Sequence, residues 1–407
     1  MPKVVHIVRK FEPAEWGGTE THLIAMLREM RELGWESEVH APREAGTDGA
    51  AIREAGAVFK TFRAHYPYLG MTPERRKGLV AAGGNLVSVH ELARLALRTK
   101  ADVLHLHTLG RLGGVVRFAA KLRHIPYAVT LHGPVRAHAE VAEQDAVRRT
   151  SGLVDLGAPF GMLVGARRVV HDADLMFVLN RKEHDAWAKV REGKHLEIVS
   201  HGVDLQRATE EARREARAGV PGLGDAPYVV VIARLDRAKG PDLAIDAFLR
   251  GAPEAMHLVL AGSVADPVYA EEVKAMAAAA GHRVHVLGGV APKTARALLA
   301  EATLALVPSR SEPFGIVLLE AWAEGTAAVF SDVGGLSDIA RRTGGTWGLV
   351  DVGNAETFAA TLGRLVRDQA ALTRERSEVR ERVARHFTWK ALAQRIVLGY
   401  ERARSGR

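Results

Sequence analysis

Short apolar runs alternate with longer amphipathic stretches along most of the chain. Residues 4–9 (VVHIVR) form a dense run and predict a strand from Val4 to Arg9. After a polar loop, Leu23, Met26, Leu27, Met30 and Leu33 recur at spacings of three and four, the apolar stripe of a helix over 19–33. Gly34 stands where a left-handed helix cap is expected. Further runs predict strands at Ser37–Ala41, Asp102–His107, Tyr127–Leu131, Leu175–Leu179 and Leu196–Ser200.

The alternation stops at residues 206–226, a charged stretch ending in Gly and Pro that predicts a short helix and a linker. It restarts at Tyr228–Ala233 (YVVVIA), unbroken enough for a strand buried on both faces of a parallel sheet. Strands are then expected at His257–Ala261, Arg283–Leu287, Thr303–Val307 and Ala327–Phe330. Phe358, Leu362, Leu365 and Val366 form a helical stripe, and a last helix should run from Thr388 to about Arg402. Strand and helix in regular alternation imply an α/β protein with two Rossmann-like, doubly wound halves. They divide at residues 205/206, the second ending at 386. Ligands of such sheets bind beyond the carboxyl ends of the strands, so the cleft between the halves is the expected site.

Composition narrows the classes. Hydrophobic residues at 47% and charged residues at 26% exclude a mostly disordered chain. No apolar run approaches the roughly 18–20 residues of a membrane span, and the opening run is too short for a signal peptide. A cytoplasmic enzyme is the expectation. The chain has no cysteine, which excludes disulfides, thiolate metal sites and a cysteine nucleophile. The net charge of +8 is spread out, with 29 basic against 24 acidic residues in 1–205 and 27 against 24 in the remainder. With aromatics at 6%, a base-stacking groove is not supported, and no nucleic-acid partner is expected. A mildly basic surface suits an anionic substrate or membrane face.

Four segments carry candidate chemistry. In Pro308–Gly335, Glu312 follows a strand and Pro313-Phe314-Gly315 turns the chain into a helix, whose first N–H groups can seat phosphate. Glu320 lies one turn beyond Ile316 on the same face of an otherwise apolar helix, where an unpaired charge is costly. Arg234-Leu235-Asp236-Arg237-Ala238-Lys239-Gly240 follows the first strand of the second half and places cations where a diphosphate can be neutralised. Trp16-Gly17-Gly18-Thr19 lets backbone N–H groups approach an anion at a helix start, but is not the nicotinamide fingerprint. Thr130-Leu131-His132-Gly133 ends a strand, where His132 can reach a sugar hydroxyl or a leaving-group oxygen. His105 and His107 alternate on one strand face, but no third metal ligand is placed by the sequence. Asp172-Ala173-Asp174 precedes a strand, the wrong end for a metal–diphosphate motif.

In this order the four segments resemble the retaining GT-B glycosyltransferases of glycosyltransferase family 4. The resemblance includes the glycine pair, the T-x-H-G strand end, the R-L-x-x-x-K-G loop, the E-P-F-G-x-x-x-L-E-A block, and a terminal Phe387–Trp389 with Tyr400-Glu401. It implies a donor diphosphate held by Arg234 and Lys239, with Gly17 and Gly18 approaching the phosphates or the acceptor. Glu320 would bind the ribose, and Glu312 with the backbone of Phe314 and Gly315 the donor sugar. His132 would act near the reacting centre, and the nucleobase would lie near Leu287–Val290. The implied catalytic residues are Glu312 and His132. No cofactor and no metal are implied, a nucleoside-diphosphate-sugar being the co-substrate. A final helix, about 387–407, would complete the first domain. Related enzymes use sugar, lipid-linked or small-molecule acceptors, which adds peripheral contact with an anionic inner membrane face as an expectation. Arg75, Arg76, Lys77, Arg111, Arg117, Lys121 and Arg123 are the candidate basic surface. Two positions depart from the family pattern: His201 stands for the usual Asn of N-G-V-D, and Ala327 for a usual proline. An epimerase or phosphorylase of the same fold, or a non-catalytic binding protein, are the competing readings.

Overall fold

The computed structural model describes residues 1–11, 18–44, 46–73, 75, 86–131, 154–191, 193–199, 201–351 and 353–406. Two compact units form, Met1–Ser200 with Trp389–Arg407, and His201–Thr388. The first crossing lies a few residues earlier than the charge pattern suggests. Val203 explains this, because its N–H donates to Phe387 O at 2.8 Å and it pairs in parallel with Thr388. The 201–205 segment is thereby tied into the second unit.

The first unit is built on strands β1 (Lys3–Ile7), β2 (Glu36–Pro42), β3 (Val58–Phe62), β4 (Tyr68–Leu69), β5 (Val103–Leu106), β6 (Tyr127–Thr130), β7 (Val154–Asp155), β8 (Leu175–Val178) and β9 (His195–Ile198). Seven of them make one parallel sheet in the order β3-β2-β1-β5-β6-β8-β9, and β4 and β7 pair separately, antiparallel. Alternation along β1 sends Val5 and Ile7 to one face with Leu104 and Leu106. Val4 faces the other way, toward Leu23, Met26, Leu27 and Met30 of the helix Gly18–Glu32. Leu392, Ile396 and Tyr400 of the terminal helix Trp389–Ser405 join this second layer. Burial on both faces is what a parallel sheet requires.

Most of the expected basic surface is not available as free cations. Arg111 is buried against Asp155, Arg117 is paired with Asp172, and Arg123 donates to the backbone carbonyls of Leu95 and Thr99. The carboxylates of Asp155 and Asp172, and carbonyls near the end of the helix Val89–Leu97, lie within reach of the guanidinium groups on the helix Gly110–Arg123. Lys121 also reaches Asp172, at 2.7 Å, although its side chain stays half-exposed. Arg76 and Lys77 lie outside the described residues.

The second unit carries β10 (Tyr228–Ile232), β11 (His257–Ala261), β12 (Val284–Gly288), β13 (Leu304–Val307), β14 (Ala328–Ser331) and β15 (Leu349–Val350), in the parallel order β12-β11-β10-β13-β14-β15. Its core joins Val229, Leu258, Leu260, Leu304 and Leu306 to Phe358, Leu362 and Leu365 of the helix Ala355–Arg367. The expected linker is packed against this unit. Thr209 caps the helix Glu210–Ala218 by accepting the Ala212 N–H, and Ala212 and Ala216 are buried. Arg296 and the Ala208 N–H both bond the buried Glu324 carboxylate.

Candidate active site

The site of the second unit is assembled from loops at the carboxyl ends of its central strands. After β10 the chain turns through Arg234–Gly240. Asp236 organises that turn: its Oδ1 accepts the Lys239 N–H at 3.1 Å, and its Oδ2 meets the Arg234 guanidinium at 3.1 Å. Gly240 is left-handed, at φ 66°, and a Cβ there would stand 2.3 Å from Pro308 O. Only glycine lets this turn lie so close to the end of β13. The two loops are then stitched by backbone, with the N–H groups of Arg310 and Ser311 donating to Ala238 O at 2.8 and 3.2 Å.

This stitching brings Lys239 to Glu312. The ammonium donates to Oε2 at 2.6 Å, with the two side chains only 20% and 14% exposed. Ser309 Oγ approaches the same oxygen at 3.5 Å. Beneath Glu312 lies Gly334-Gly335, at the start of the helix Gly334–Thr343. The Gly335 N–H donates to Glu312 O at 3.0 Å. A Cβ on Gly334 would meet Glu312 O at 2.2 Å, and one on Gly335 would meet Phe314 O at 2.2 Å.

Gly315, at φ 96°, then turns the chain into the helix Ile316–Glu324. Phe314 is buried, its ring 5.0 Å from that of His201 and 6.4 Å from Phe387. Burial lowers the His201 imidazole to about 4, so it is neutral at physiological pH. The Asn-to-His departure therefore adds an uncharged aromatic ring packed on Phe314 behind the loop. Glu320 keeps part of its surface in solvent, yet protein crowds its carboxyl enough that burial pushes it up to about 7. Arg296 opposes the shift and Glu324 adds to it. No described residue hydrogen-bonds this carboxylate.

Leu287 and Val290, the expected nucleobase region, are half-buried at the end of β12. Gly288 O accepts the Gly262 N–H at 2.7 Å, and Gly262 lies so close to Ala233 that a Cβ would come within 1.8 Å of its carbonyl. The strand ends thus gather Arg234, Lys239, Glu312, Phe314 and Gly315 on one side of the sheet. Gly18 opens the first helix of the other unit, whereas Gly17 and His132 lie outside the described residues.

Two family models divide the chain. "Glycosyltransferase Family 4" matches residues 16–207, and "Glycosyl transferases group 1" matches residues 213–385. A D-inositol 3-phosphate glycosyltransferase of Xylanimonas cellulosilytica is 30% identical over 321 residues, 74% of this chain and 72% of its own. The chain belongs to glycosyltransferase family 4. An alpha-maltose-1-phosphate synthase of Mycolicibacterium smegmatis is 26% identical over 98% of this chain and 99% of its own. The crystal structure of Anabaena HepE with UDP and glucose superposes with a TM-score of 0.69 at 19% identity, covering 99% of this chain and all of that one. The two parallel-sheet units are accordingly the GT-B architecture, and the protein is a glycosyltransferase.

Three features of this glycosyltransferase escaped the sequence. Asp236 lay inside the basic loop without being assigned a task, and Gly334-Gly335 closed the glutamate segment unremarked. The third partner of His105 and His107 is His6, on the neighbouring strand, with ligand nitrogens of all three within 4.8 Å. His6 Nδ1 lies 3.1 Å from His107 Nε2, while His105 bonds Tyr400 Oη at 2.5 Å and Thr130 Oγ1 at 2.6 Å. With both His105 nitrogens engaged by hydroxyls, the trio is a hydrogen-bonded network that ties β1, β5 and β6 to the terminal helix. Asp172 is saturated by Arg117, Lys121 and Arg168, and Asp174 accepts the Tyr127 N–H at 2.9 Å. Both aspartates serve the fold.

Proposed function

We propose that this glycosyltransferase moves a sugar from a nucleoside-diphosphate-sugar, UDP first and GDP next, to an acceptor hydroxyl with retention of anomeric configuration. The observation that carries the reading is the Lys239–Glu312 pair at the carboxyl ends of the strands, where one cation and one carboxylate are positioned together. Lys239 and Arg234 would neutralise the donor diphosphate, and Gly17 and Gly18 would approach the phosphates or the acceptor. Glu312 and the Phe314–Gly315 backbone would hold sugar hydroxyls, Glu320 the ribose, and Leu287 and Val290 the base. His132 would contact the sugar at the reacting centre.

In the front-face route, the bond from the anomeric carbon to the diphosphate oxygen breaks as the acceptor oxygen bonds on the same face. The acceptor proton passes to the departing phosphate oxygen. Fixed cations and helix dipoles stabilise that leaving group, so the route runs without a metal. The relatives named D-inositol 3-phosphate glycosyltransferase and alpha-maltose-1-phosphate synthase favour a phosphorylated small acceptor, and polysaccharide or glycoconjugate assembly is the broader setting.

Calorimetry with UDP, GDP and ADP in metal-free buffer tests the donor half of this reading. One tight binder, lost in Lys239→Ala, supports it; no binding to any of the three sinks it. The product's anomeric configuration, read by NMR, tests retention.

A cytoplasmic enzyme with peripheral membrane contact is the wider expectation. Supporting it, the first unit exposes Leu69, Val154, Leu156, Met162 and Leu163 beside the exposed Arg167 and Arg168. Among the described residues, no helix is long and apolar enough to cross a membrane. Flotation with anionic vesicles that is indifferent to Met162→Ser/Leu163→Ser would remove this contact.

A further inference from the structure

At the edge of the first unit, beside the amino-terminal ends of β1 and β5, lies a recess of about 440 Å³. It is on the opposite side of the sheet from the carboxyl-end loops. Five cations line it, Lys3, Lys60, Arg94, Arg98 and Lys100, against one carboxylate, Glu38. They come from three separate stretches of the chain, and only folding brings them together.

Glu38 forms the floor, its side chain 3% exposed. It receives the Lys3 and Lys60 ammonium groups at 2.7 Å each and the His40 ring at 2.5 Å. Against the effect of burial, hydrogen bonds from His40, Lys3 and Lys60 hold its carboxyl well below the ordinary range. The second His40 nitrogen bonds the buried Glu91. Glu38 therefore fixes two ammonium groups in place without neutralising the recess. Arg94 is anchored separately, donating to Thr61 O at 3.0 Å and lying 3.4 Å from an oxygen of the buried Glu91. Arg98 and Lys100 are exposed at the rim and pair with no described carboxylate.

We infer that this recess is an anion site for a phosphate group. Crowded like charges repel, and with Glu38 and Glu91 facing five cations a doubly charged phosphate relieves the repulsion that remains. A guanidinium fork beside ammonium point charges is the donor set that phosphate oxygens take. The volume exceeds that of a bare phosphate and falls in the range of small-molecule sites, so the group arrives on a larger body. That body is either a soluble phosphorylated metabolite or a phospholipid headgroup. Neither belongs to the donor site, which lies in the other unit.

The test uses the full-length Lys239→Ala chain, so that the donor loop contributes least, and adds Arg98→Glu/Lys100→Glu, both at exposed positions. Inorganic pyrophosphate is titrated by calorimetry. Flotation compares vesicles of phosphatidylglycerol with phosphatidylcholine against phosphatidylcholine alone. Pyrophosphate binding that falls about tenfold or more in the charge-reversed chain supports the site, the scale expected for lost charged hydrogen bonds. A parallel loss of flotation assigns it to a lipid headgroup, and unchanged flotation assigns it to a soluble phosphate. Pyrophosphate binding that is absent, or equal in both chains, overturns the inference.

Discussion

Lys239 and Glu312, seventy-three positions apart in the chain, share a hydrogen bond of 2.6 Å. In the proposed reading one holds phosphate and the other sugar, and in the structure each is the other's partner. Donor binding must therefore redirect the ammonium toward the diphosphate while the carboxylate turns to hydroxyls. Lys239→Ala should weaken nucleotide affinity roughly ten- to a hundredfold, the range for a lost charged hydrogen bond. Glu312→Ala should cut turnover by about a hundredfold or more, the scale of a lost transition-state contact. Its nucleotide affinity should stay near wild type or rise, because Lys239 is freed. Calorimetry beside initial rates separates the two. Equal loss of nucleotide binding in both variants would refute the division of labour.

Glu320 sets a pH dependence. Its folded carboxyl sits at about 7, above the ordinary 4.5, because burial penalises the charge. The folded state then binds the proton more tightly than the unfolded state. Stability from this group is complete below pH 4.5 and is lost as pH rises through 7. Glu320→Gln should raise Tm by a few degrees at pH 8 and hardly change it at pH 4.5. If the carboxylate takes ribose hydroxyls, nucleotide binding should strengthen from pH 6 to pH 8 in the wild type and stay flat in the variant.

His201 has the opposite sign. Its folded imidazole lies near 4, below the ordinary 6.5, so the unfolded state binds more protons between these values. Stability is full above pH 6.5 and is lost as pH falls toward 4. His201→Phe should keep the stack on Phe314 and remove part of this acid sensitivity. His201→Ala should cost about 1 kcal/mol from the aromatic pair alone, with more from the vacated volume. Because Phe314 adjoins the Glu312 loop, kcat should fall in the alanine variant with nucleotide affinity kept, and the phenylalanine variant should restore it. Thermal unfolding across pH, beside initial rates, checks both.

Gly335→Ala would put a methyl group within 2.2 Å of Phe314 O and 2.3 Å of its Cα, both backbone atoms that cannot swing aside. The expected result is a stability loss of about 1–3 kcal/mol, with turnover falling further than stability explains. Activity per folded molecule, measured well below Tm, is the deciding quantity. A wild-type value there would show that the Glu312 loop tolerates displacement.

The larger elements could be read from the sequence because hydrophobic period and turn residues act locally. YVVVIA is a buried strand almost by composition, and Gly315 and Gly325 punctuate the Glu320 helix as written, at φ 96° and 84°. The strand β3 was missed because its burial is mixed, with Lys60 half-exposed in an edge position. β4, β7 and β15 are two residues each, too short to show a period. Within the site, the Arg234–Gly240 loop and the E-P-F-G turn could be recognised singly. Their pairing through Lys239 and Glu312 could not, since it depends on how closely Gly240 lets Pro308 approach. The pairing of Arg111 and Arg117 was equally hidden, because Asp155 and Asp172 lie forty-four and fifty-five positions away.

The terminal helix has a consequence for how the protein is made. The sheet of the first unit is synthesised early, but Leu392, Ile396 and Tyr400, which help to cover one of its faces, leave the ribosome only after the whole second unit. Until then Leu175 and Phe177 lack their cover, and His105 lacks the Tyr400 hydroxyl. The second unit, continuous from His201 to Thr388, suffers no such delay. The unit whose synthesis begins first is therefore completed after the other, and the interval between is when the nascent chain is most open to aggregation and to chaperones.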